Sequence, residues 1–336
     1  MNQSANFAEA PSGLTIFTWF ALSIAVSLFG CFMLAALLAH ICYGKLTGST
    51  VLIAHLMALQ LLHCAVFFPI LFVDSFAALT GSSLHLNCPL LLLMHISAAQ
   101  AEHWASLVLA VNRYVAIALP HHYRKVVSTP VLTVMIIAPW VIGIGDTLPL
   151  YFGYGGILGE KPVFGYCAIK VAGRIYGRAL WQTIGTYIPT VLMGIIYVTL
   201  FVRLAIDGHV CFRRKSDAEE KSMLERRLEK RVTMAEMLVV AYVWYCLCFL
   251  PGPIILTAYP QLQRQYVMLA HWTSGFLTLC GYAASPVIFL FLSSDYRKGV
   301  RHLFTKPSVK EKAAQLEMRH SDSSDEHQPL RLPVHV

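Results

Sequence analysis

The stretch 88–120 reads CPLLLLMHISAAQAEHWASLVLAVNRYVAIALP, and it decides how the rest of the chain is interpreted. It is long and apolar enough to cross a bilayer as a helix, for which about 20 mostly apolar residues suffice. His95, Glu102 and His103 interrupt it, and isolated polar groups of this kind usually face the interior of a helix bundle. Arg113 near its end cannot lose its charge, so it must reach water or a partner. The stretch therefore predicts one span of a membrane bundle.

The composition extends this interpretation to the whole chain. Of the 336 residues, 57% are hydrophobic and only 13% are charged, whereas soluble domains carry about 25% charged residues. Long apolar runs occur at 14–43, 50–76, 87–117, 128–152, 178–206, 231–258 and 266–291. These runs predict an all-α integral membrane protein, a bundle of seven transmembrane helices with no large soluble domain.

The distribution of positive charge predicts the orientation of the chain. If the N-terminus is outside, all but five of the 26 Lys and Arg residues lie on the inner side; the exceptions are Lys161, Lys170, Arg174, Arg178 and Arg264. The net charge of +8 then faces anionic lipid and acidic partner surfaces, which makes nucleic acid a poor partner. We expect a multi-pass plasma-membrane protein whose first apolar run acts as a signal anchor.

The N-terminal segment and the tail complete the predicted domain organisation. Residues 1–13 are expected outside, 14–304 form the membrane domain, and 305–336 form a polar, disordered cytoplasmic tail. Asn2-Gln3-Ser4 is a sequon that would be glycosylated only on the outer side, although such sequons also arise by chance. Kinase sites are expected at Ser216 in the third inner loop and, within the tail, at Ser321, Ser323 and Ser324.

Two of the nine cysteines, Cys88 and Cys167, fall at or beyond the outer face. Disulfides persist in oxidising compartments, so a bridge from the top of the third span to the second outer loop is expected. Two free thiols are the alternative.

With these features in place, the sequence resembles the rhodopsin-like (class A) G-protein-coupled receptors over about residues 14–304. Cys88 precedes Arg113 by the family's spacing, and Asn112-Arg113-Tyr114 stands where the family has Asp-Arg-Tyr. This variant is similar to the melatonin receptors and to an invertebrate group around the Moody receptor. The other motif positions are Pro120, Trp140, Pro189, Tyr197, Tyr245, Phe249, Pro251, Ser285, Pro286 and Phe289, and Tyr296-Arg297 opens a short amphipathic eighth helix.

The resemblance implies that Arg113 contacts a heterotrimeric G protein in the active state. The usual acidic neighbour that restrains this arginine is replaced by Asn112, which offers only a hydrogen bond, so raised basal activity is expected. Pro251 and Pro286 kink their helices and suit a hinge motion. Arrestin and a receptor kinase are the further partners that the family implies.

Three aromatic positions depart from the family pattern in the same switch region. Phe249 replaces a tryptophan, and Tyr245 replaces a phenylalanine that would face Pro189 and His103. A Tyr–His hydrogen bond and separate backbone or water partners are both open there. Phe289 lacks the hydroxyl that relatives join to Tyr197 through water, so the active-state contacts must differ.

An acid has also moved between helices. Where most relatives enclose a sodium ion with an acid on the second helix, this chain has Gln60, and an acid appears instead as Glu102 on the third, with Ser285 on the seventh. A charged Glu in a bundle core is costly. It can be protonated or bridged by water, it can hold a relocated sodium ion, or it can be a structural acid.

The resemblance also bounds the ligand. Amine receptors have an Asp where this chain has His95, and opsins need a lysine that 266–291 lacks, so a primary amine and a retinal Schiff base are not expected. The outer face is slightly basic, which favours a lipid-like or acidic extracellular ligand. No cofactor is expected. The predicted pocket walls are His95, Ile96, Ala99, Gln100, Trp181, Gln182, Phe249, Gly252 and His271.

Two other classes are alternatives. A secondary transporter usually shows internal repeats and broken midplane helices, and neither pattern is found. A membrane enzyme would need a site such as His-Glu-x-x-His or Gly-x-Ser-x-Gly, and the sequence contains neither, so no enzymatic activity is expected.

Overall fold

The computed structural model describes residues 12–43, 48–82, 84–154, 156–160, 166–170, 180–213 and 238–292. The predicted glycosylation, phosphorylation and eighth-helix residues lie outside these ranges, namely Asn2, Ser216, Ser321, Ser323, Ser324 and 296–304.

The chain forms the predicted all-α bundle, and its helices agree closely with the seven apolar runs. We number the spanning helices α1 to α7. They are α1 (Gly13–Tyr43), α2 (Gly48–Leu79), α3 (Cys88–Ala118), α4 (Thr129–Tyr151), α5 (Leu180–Leu204, continuing to Arg213), α6 (Leu238–Ala258) and α7 (Val267–Ala270, His271–Phe276 and Leu277–Leu292). Short helices at Pro120–Val126 and Pro260–Gln265 follow α3 and α6.

Length and apolarity alone mark five of the described helices as able to cross a membrane, and α3 and α7 are not among them. Helix α3 is long enough, but its interior contains His95, Glu102 and His103, which lower its mean hydropathy. In α7 a π-helical turn separates a first short segment from Leu277–Leu292. Both helices nonetheless pack within the same bundle, α3 against α2, α4 and α5, and α7 against α1.

We call outer the end of the bundle that the predicted orientation places outside. Helix α3 is held at this end by its own sequence and along its length by close packing. The Asn87 side chain accepts a hydrogen bond from Leu90 N at 3.3 Å, which caps the helix start. Gly143 of α4 lies so near α3 that a Cβ there would be 2.5 Å from Ser97 O and 2.9 Å from Ala101 N. The contact with α4 is therefore made backbone to backbone.

Three of the spanning helices contain a π-helical turn in their outer halves: His63–Phe67 in α2, Thr183–Tyr187 in α5 and His271–Phe276 in α7. The first two directly precede Pro69 and Pro189. Proline has no N–H and clashes with the turn before it, and a π turn accommodates this without ending the helix.

A two-stranded antiparallel hairpin lies over the outer end of the bundle. Strand β1 (Ile157–Glu160) pairs with β2 (Cys167–Lys170) so that Glu160 is opposite Cys167. The Cys88–Cys167 disulfide is present, which confirms the predicted bridge. Cys167 N also donates to Asp74 Oδ2 at 2.7 Å, so β2 is attached to α2 as well as to α3.

The residue before β2 is buried beneath this hairpin. The Tyr166 ring lies 4.9 Å from the His271 ring between centroids, and burial raises the pKa of Tyr166 to about 12. Because that value is far above physiological pH, the hydroxyl stays protonated and neutral under the hairpin.

Candidate functional site

Four of the predicted coupling residues lie at the inner end of α3 or beside it. Asn112 is fully buried, and neither polar atom of its amide has a hydrogen-bond partner among the described residues. Arg113 is half-buried, and no ion pair with Asp or Glu is found for it in the part of the chain that the structure describes. Tyr114 and Tyr197 pack against the apolar cluster at the inner ends of α5 and α6. Arg113 is thus not held by an acid within the described ranges.

About three turns above Arg113, the buried carboxylate of Glu102 lies at the centre of the bundle. Its Oε1 accepts from Gln60 Nε2 at 3.1 Å and from Ser106 Oγ at 3.2 Å. Its Oε2 lies 3.1 Å from His103 Nδ1, a close contact that is not aligned as a hydrogen bond. The acid that sequence reasoning placed on α3 is therefore joined to α2 by a direct hydrogen bond.

His103 also connects α3 to α6. Its Nδ1 lies 2.7 Å from the hydroxyl of Tyr245, and both side chains are buried. Of the two alternatives left open by the sequence, the structure has the direct Tyr–His hydrogen bond. The ring of Phe249 lies 4.8 Å from the Tyr245 ring and 5.4 Å from the His103 ring between centroids. Phe249, which replaces the family's tryptophan, therefore packs directly on this pair.

A cavity of about 90 Å³ lies beside these polar groups. A water molecule needs roughly 10–15 Å³ by this measure, so the cavity has room for several. Its polar lining is Gln60, Glu102, Ser106, Tyr197, Tyr242, Tyr245 and Ser285. The displaced acid, Glu102, and the two residues predicted around it, Gln60 and Ser285, thus line one cavity.

The remaining predicted hinge and coupling positions lie on α6, on α7 and directly after α3. Helix α6 is interrupted at Leu250, and Pro251 begins its outer segment. Pro286 lies inside the last segment of α7, where Phe289 follows near the inner end. Pro120 opens the short helix after α3.

The predicted pocket walls separate into distinct groups in the outer half. Ile96 and Trp181 pack in a cluster beneath the hairpin. Gln100 lies against Gly185 of α5, whose missing side chain makes room for the Gln100 amide. The remaining predicted residues are His95 and Ala99 on α3, Gln182 on α5, Gly252 on α6 and His271 on α7.

Two of these residues belong to aromatic clusters that the sequence reasoning did not assemble. His271 lies 4.9 Å from Trp19 of α1, whose Nε1 donates to His271 O at 3.2 Å. His95 lies against the rings of Phe67 and Phe68 on α2, at 5.5 and 5.4 Å between centroids.

His63 on α2 was missed entirely. It is fully buried, stacks on Tyr282 of α7 at 4.7 Å and lies 5.4 Å from His95 between centroids. The available signal was a histidine inside a strongly apolar run, since an ionisable residue within a span is by default a candidate for function.

Comparison with known proteins identifies the family of this bundle. Residues 33–289 match the family described as 7 transmembrane receptor (rhodopsin family). The chain belongs to this family. The members of this family are signalling receptors and not enzymes, which agrees with the class predicted in the sequence analysis.

The curated relatives of this rhodopsin-family receptor are distant. Rat neuromedin-U receptor 1 is 23% identical over 254 residues, covering 67% of this chain and 56% of the relative. Mouse short-wave-sensitive opsin 1 is 24% identical over 207 residues, with coverages of 58% and 55%, and zebrafish melanopsin-A is 21% identical over 200 residues, with coverages of 58% and 34%. The chain spans about half the length of the first two, so its ligand and coupling are matters for proposal.

Proposed function

We propose that this rhodopsin-family receptor lies in the plasma membrane with its N-terminus outside, binds an extracellular ligand and activates a heterotrimeric G protein. The observation that carries the proposal is the buried polar bridge from His103 to Tyr245. It joins α3 to α6 midway between the outer pocket and Arg113. A ligand that breaks this hydrogen bond would let α3 and α6 move relative to each other, and the inner ends of these two helices are the ones that meet a G protein.

The proposed transmission runs from Phe249 downward. A ligand against the outer pocket displaces the Phe249 ring, which rests on Tyr245 and His103. Pro251 cannot donate a backbone hydrogen bond, so α6 bends most easily at this level and its inner end swings outward. Arg113 then becomes accessible to the partner.

The decisive experiment measures G-protein activation in reporter cells that express the receptor with a panel of G-protein subtypes. Arg113→Ala should abolish activation while surface expression is unchanged. Arg203→Ala is the matched control, because Arg203 is exposed on the inner part of α5. Equal signalling by wild type and Arg113→Ala would contradict the proposal.

The proposed ligand is non-aminergic and either lipid-like or acidic. Support comes from His95, which stands where an amine would need an acid, and from the slight excess of basic residues on the outer side. Although several relatives are named opsins, 266–291 contains no lysine, so light detection through a retinal Schiff base is not proposed. A screen of lipids, peptides and small acids tests this, and saturable activation by a primary amine would overturn it.

We further propose that Glu102 is a proton or sodium site shared with Gln60 and Ser285. The support is the cavity that all three line and the two hydrogen bonds to Glu102 Oε1. Glu102→Gln keeps the shape of the side chain and removes its charge. The variant should lose any dependence of signalling on sodium or on pH; if both dependences are the same as in wild type, Glu102 is only a structural acid.

Regulation by a receptor kinase and arrestin is proposed from the family and from Ser216, Ser321, Ser323 and Ser324. Phosphates at the last three would add to the negative charge of neighbouring acids. Alanine at all four positions should reduce arrestin recruitment, and unchanged recruitment would place the sites elsewhere. The division into 1–13, 14–304 and 305–336 remains part of the proposal, whereas nothing observed favours a transporter.

A further inference from the structure

Two histidines meet in the outer half of the bundle, one from α2 and one from α3. The rings of His63 and His95 are 5.4 Å apart between centroids and inclined at 62°. His63 has no exposed surface. His63 Nε2 and His95 Nδ1 are both buried atoms without a hydrogen-bond partner among the described residues. Buried polar atoms are nearly always paired, so these two nitrogens are candidates for binding water or an ion.

The hydrogen bond made by the other nitrogen of His63 fixes what Nε2 can do. His63 Nδ1 lies 2.9 Å from Leu59 O, and a carbonyl oxygen only accepts. This contact favours the neutral tautomer that has its proton on Nδ1 and a lone pair on Nε2. This is the arrangement of metal-binding histidines, which almost always donate their second N–H to a carbonyl or carboxylate that orients the ring.

The separation of the two rings also suits a shared ion. Zinc lies about 2.0–2.1 Å from an imidazole nitrogen, so the centroids of two rings on one tetrahedral ion are roughly 5 Å apart. The rings are held near that distance from both sides. Phe67 and Phe68 pack against both histidines, and Tyr282 stacks on His63.

We propose that His63 and His95 form a binding site for a divalent transition metal of the zinc class, linking α2 to α3 in the outer half of the receptor. Imidazole nitrogen suits zinc, copper and nickel far better than calcium or magnesium. Two protein ligands leave further coordination positions open to water or to donor atoms of an extracellular molecule. His95 retains some accessible surface, although its Nδ1 is buried. The site is independent of the proposed coupling to a G protein.

The test uses the full-length receptor in lipid nanodiscs, purified without a histidine tag. Cobalt(II) serves as the spectroscopic probe, and zinc affinity is measured by competition with a chromophoric chelator. Wild type should bind one equivalent, with the visible absorption of a four-coordinate cobalt ion. His63→Phe and His95→Phe keep an aromatic ring in the cluster but remove the ligand nitrogen. Each should weaken binding by roughly tenfold or more.

His85→Phe is the control, because His85 is exposed on the outer side and is not part of the pair; it should bind like wild type. His95→Cys is the second variant: its thiolate can replace imidazole as a ligand, so binding should persist there even if a phenylalanine variant does not fold. The proposal is overturned if wild type shows no saturable binding, if both phenylalanine variants bind as wild type does, or if only His85→Phe loses the ion. In those cases the pair is an edge-to-face ring contact.

Discussion

Tyr245→Phe removes one oxygen atom and tests the bridge between α3 and α6 directly. The lost hydroxyl lies 2.7 Å from His103 Nδ1, in a region where both side chains are buried. Leaving a buried polar atom without its partner costs about 1–3 kcal/mol. That range corresponds to roughly a 5- to 150-fold change in the equilibrium between the conformation with the bridge and one without it.

The assay is ligand-independent G-protein activation, normalised to surface expression, in a double-mutant cycle with His103→Phe. Each single variant should change basal signalling by at least about fivefold. If the two groups act through one bond, the double variant should change it no further than the larger single effect. The melting temperatures of the purified variants measure the same coupling between Tyr245 and His103 without depending on signalling.

Tyr242→Phe is the matched control for this cycle. Its hydroxyl donates to Thr190 O at 3.0 Å, so the variant also removes a phenolic hydrogen bond from α6, but one that does not involve His103. Its effect should add to that of His103→Phe. If the effects of Tyr245→Phe and His103→Phe on basal signalling also add, as those of the control pair do, the hydrogen bond between these two residues is not what connects the helices.

Three further substitutions test other contacts. Gly143→Ala should lower the melting temperature because its Cβ would meet the α3 backbone, and overpacking of this kind costs about 1–3 kcal/mol. Gly145→Ala, which has open space around its Cβ, should leave the melting temperature unchanged. Equal melting temperatures for the two variants would contradict the close contact between α4 and α3. Asn112→Asp should lower ligand-free signalling by restoring an acid, and unchanged signalling would show that the restraint lies elsewhere. Asp74→Ala should speed reduction of the disulfide by a mild thiol, because the Cys167 N–H loses its acceptor, and a wild-type rate would count against that anchor.

Most of the fold was predictable because membrane spans are set by composition over long windows. The seven apolar runs and the disulfide follow from hydropathy and from the position of cysteines relative to the outer face. Helix α3 was the weakest case by hydropathy, yet its polar residues were interpreted correctly as facing inward, since Glu102 and His103 are buried.

The outer pocket was harder because it depends on how helices rotate against one another. His95, Ile96 and Trp181 were predicted to line one pocket. The ring of His95 lies against α2, where it meets His63, while Ile96 and Trp181 belong to the cluster beneath the hairpin. No local sequence pattern predicts the pairing of His63 with His95, because only the packing of α2 on α3 brings the two residues together. The Glu102 cluster was easier, because the resemblance to the receptor family put Gln60 and Glu102 at one level.

The π turns have a consequence for how this chain tolerates changes in length. Each π turn contains one residue more than an α-helical turn, so deletion of one residue within 63–67 could leave a continuous α-helix. Both halves of α2 would then keep the directions of their side chains, because the wider turn had absorbed the residue that is removed. A single-residue deletion at these three turns would thus be tolerated, whereas the same deletion elsewhere in a span would rotate every side chain beyond it by about 100°.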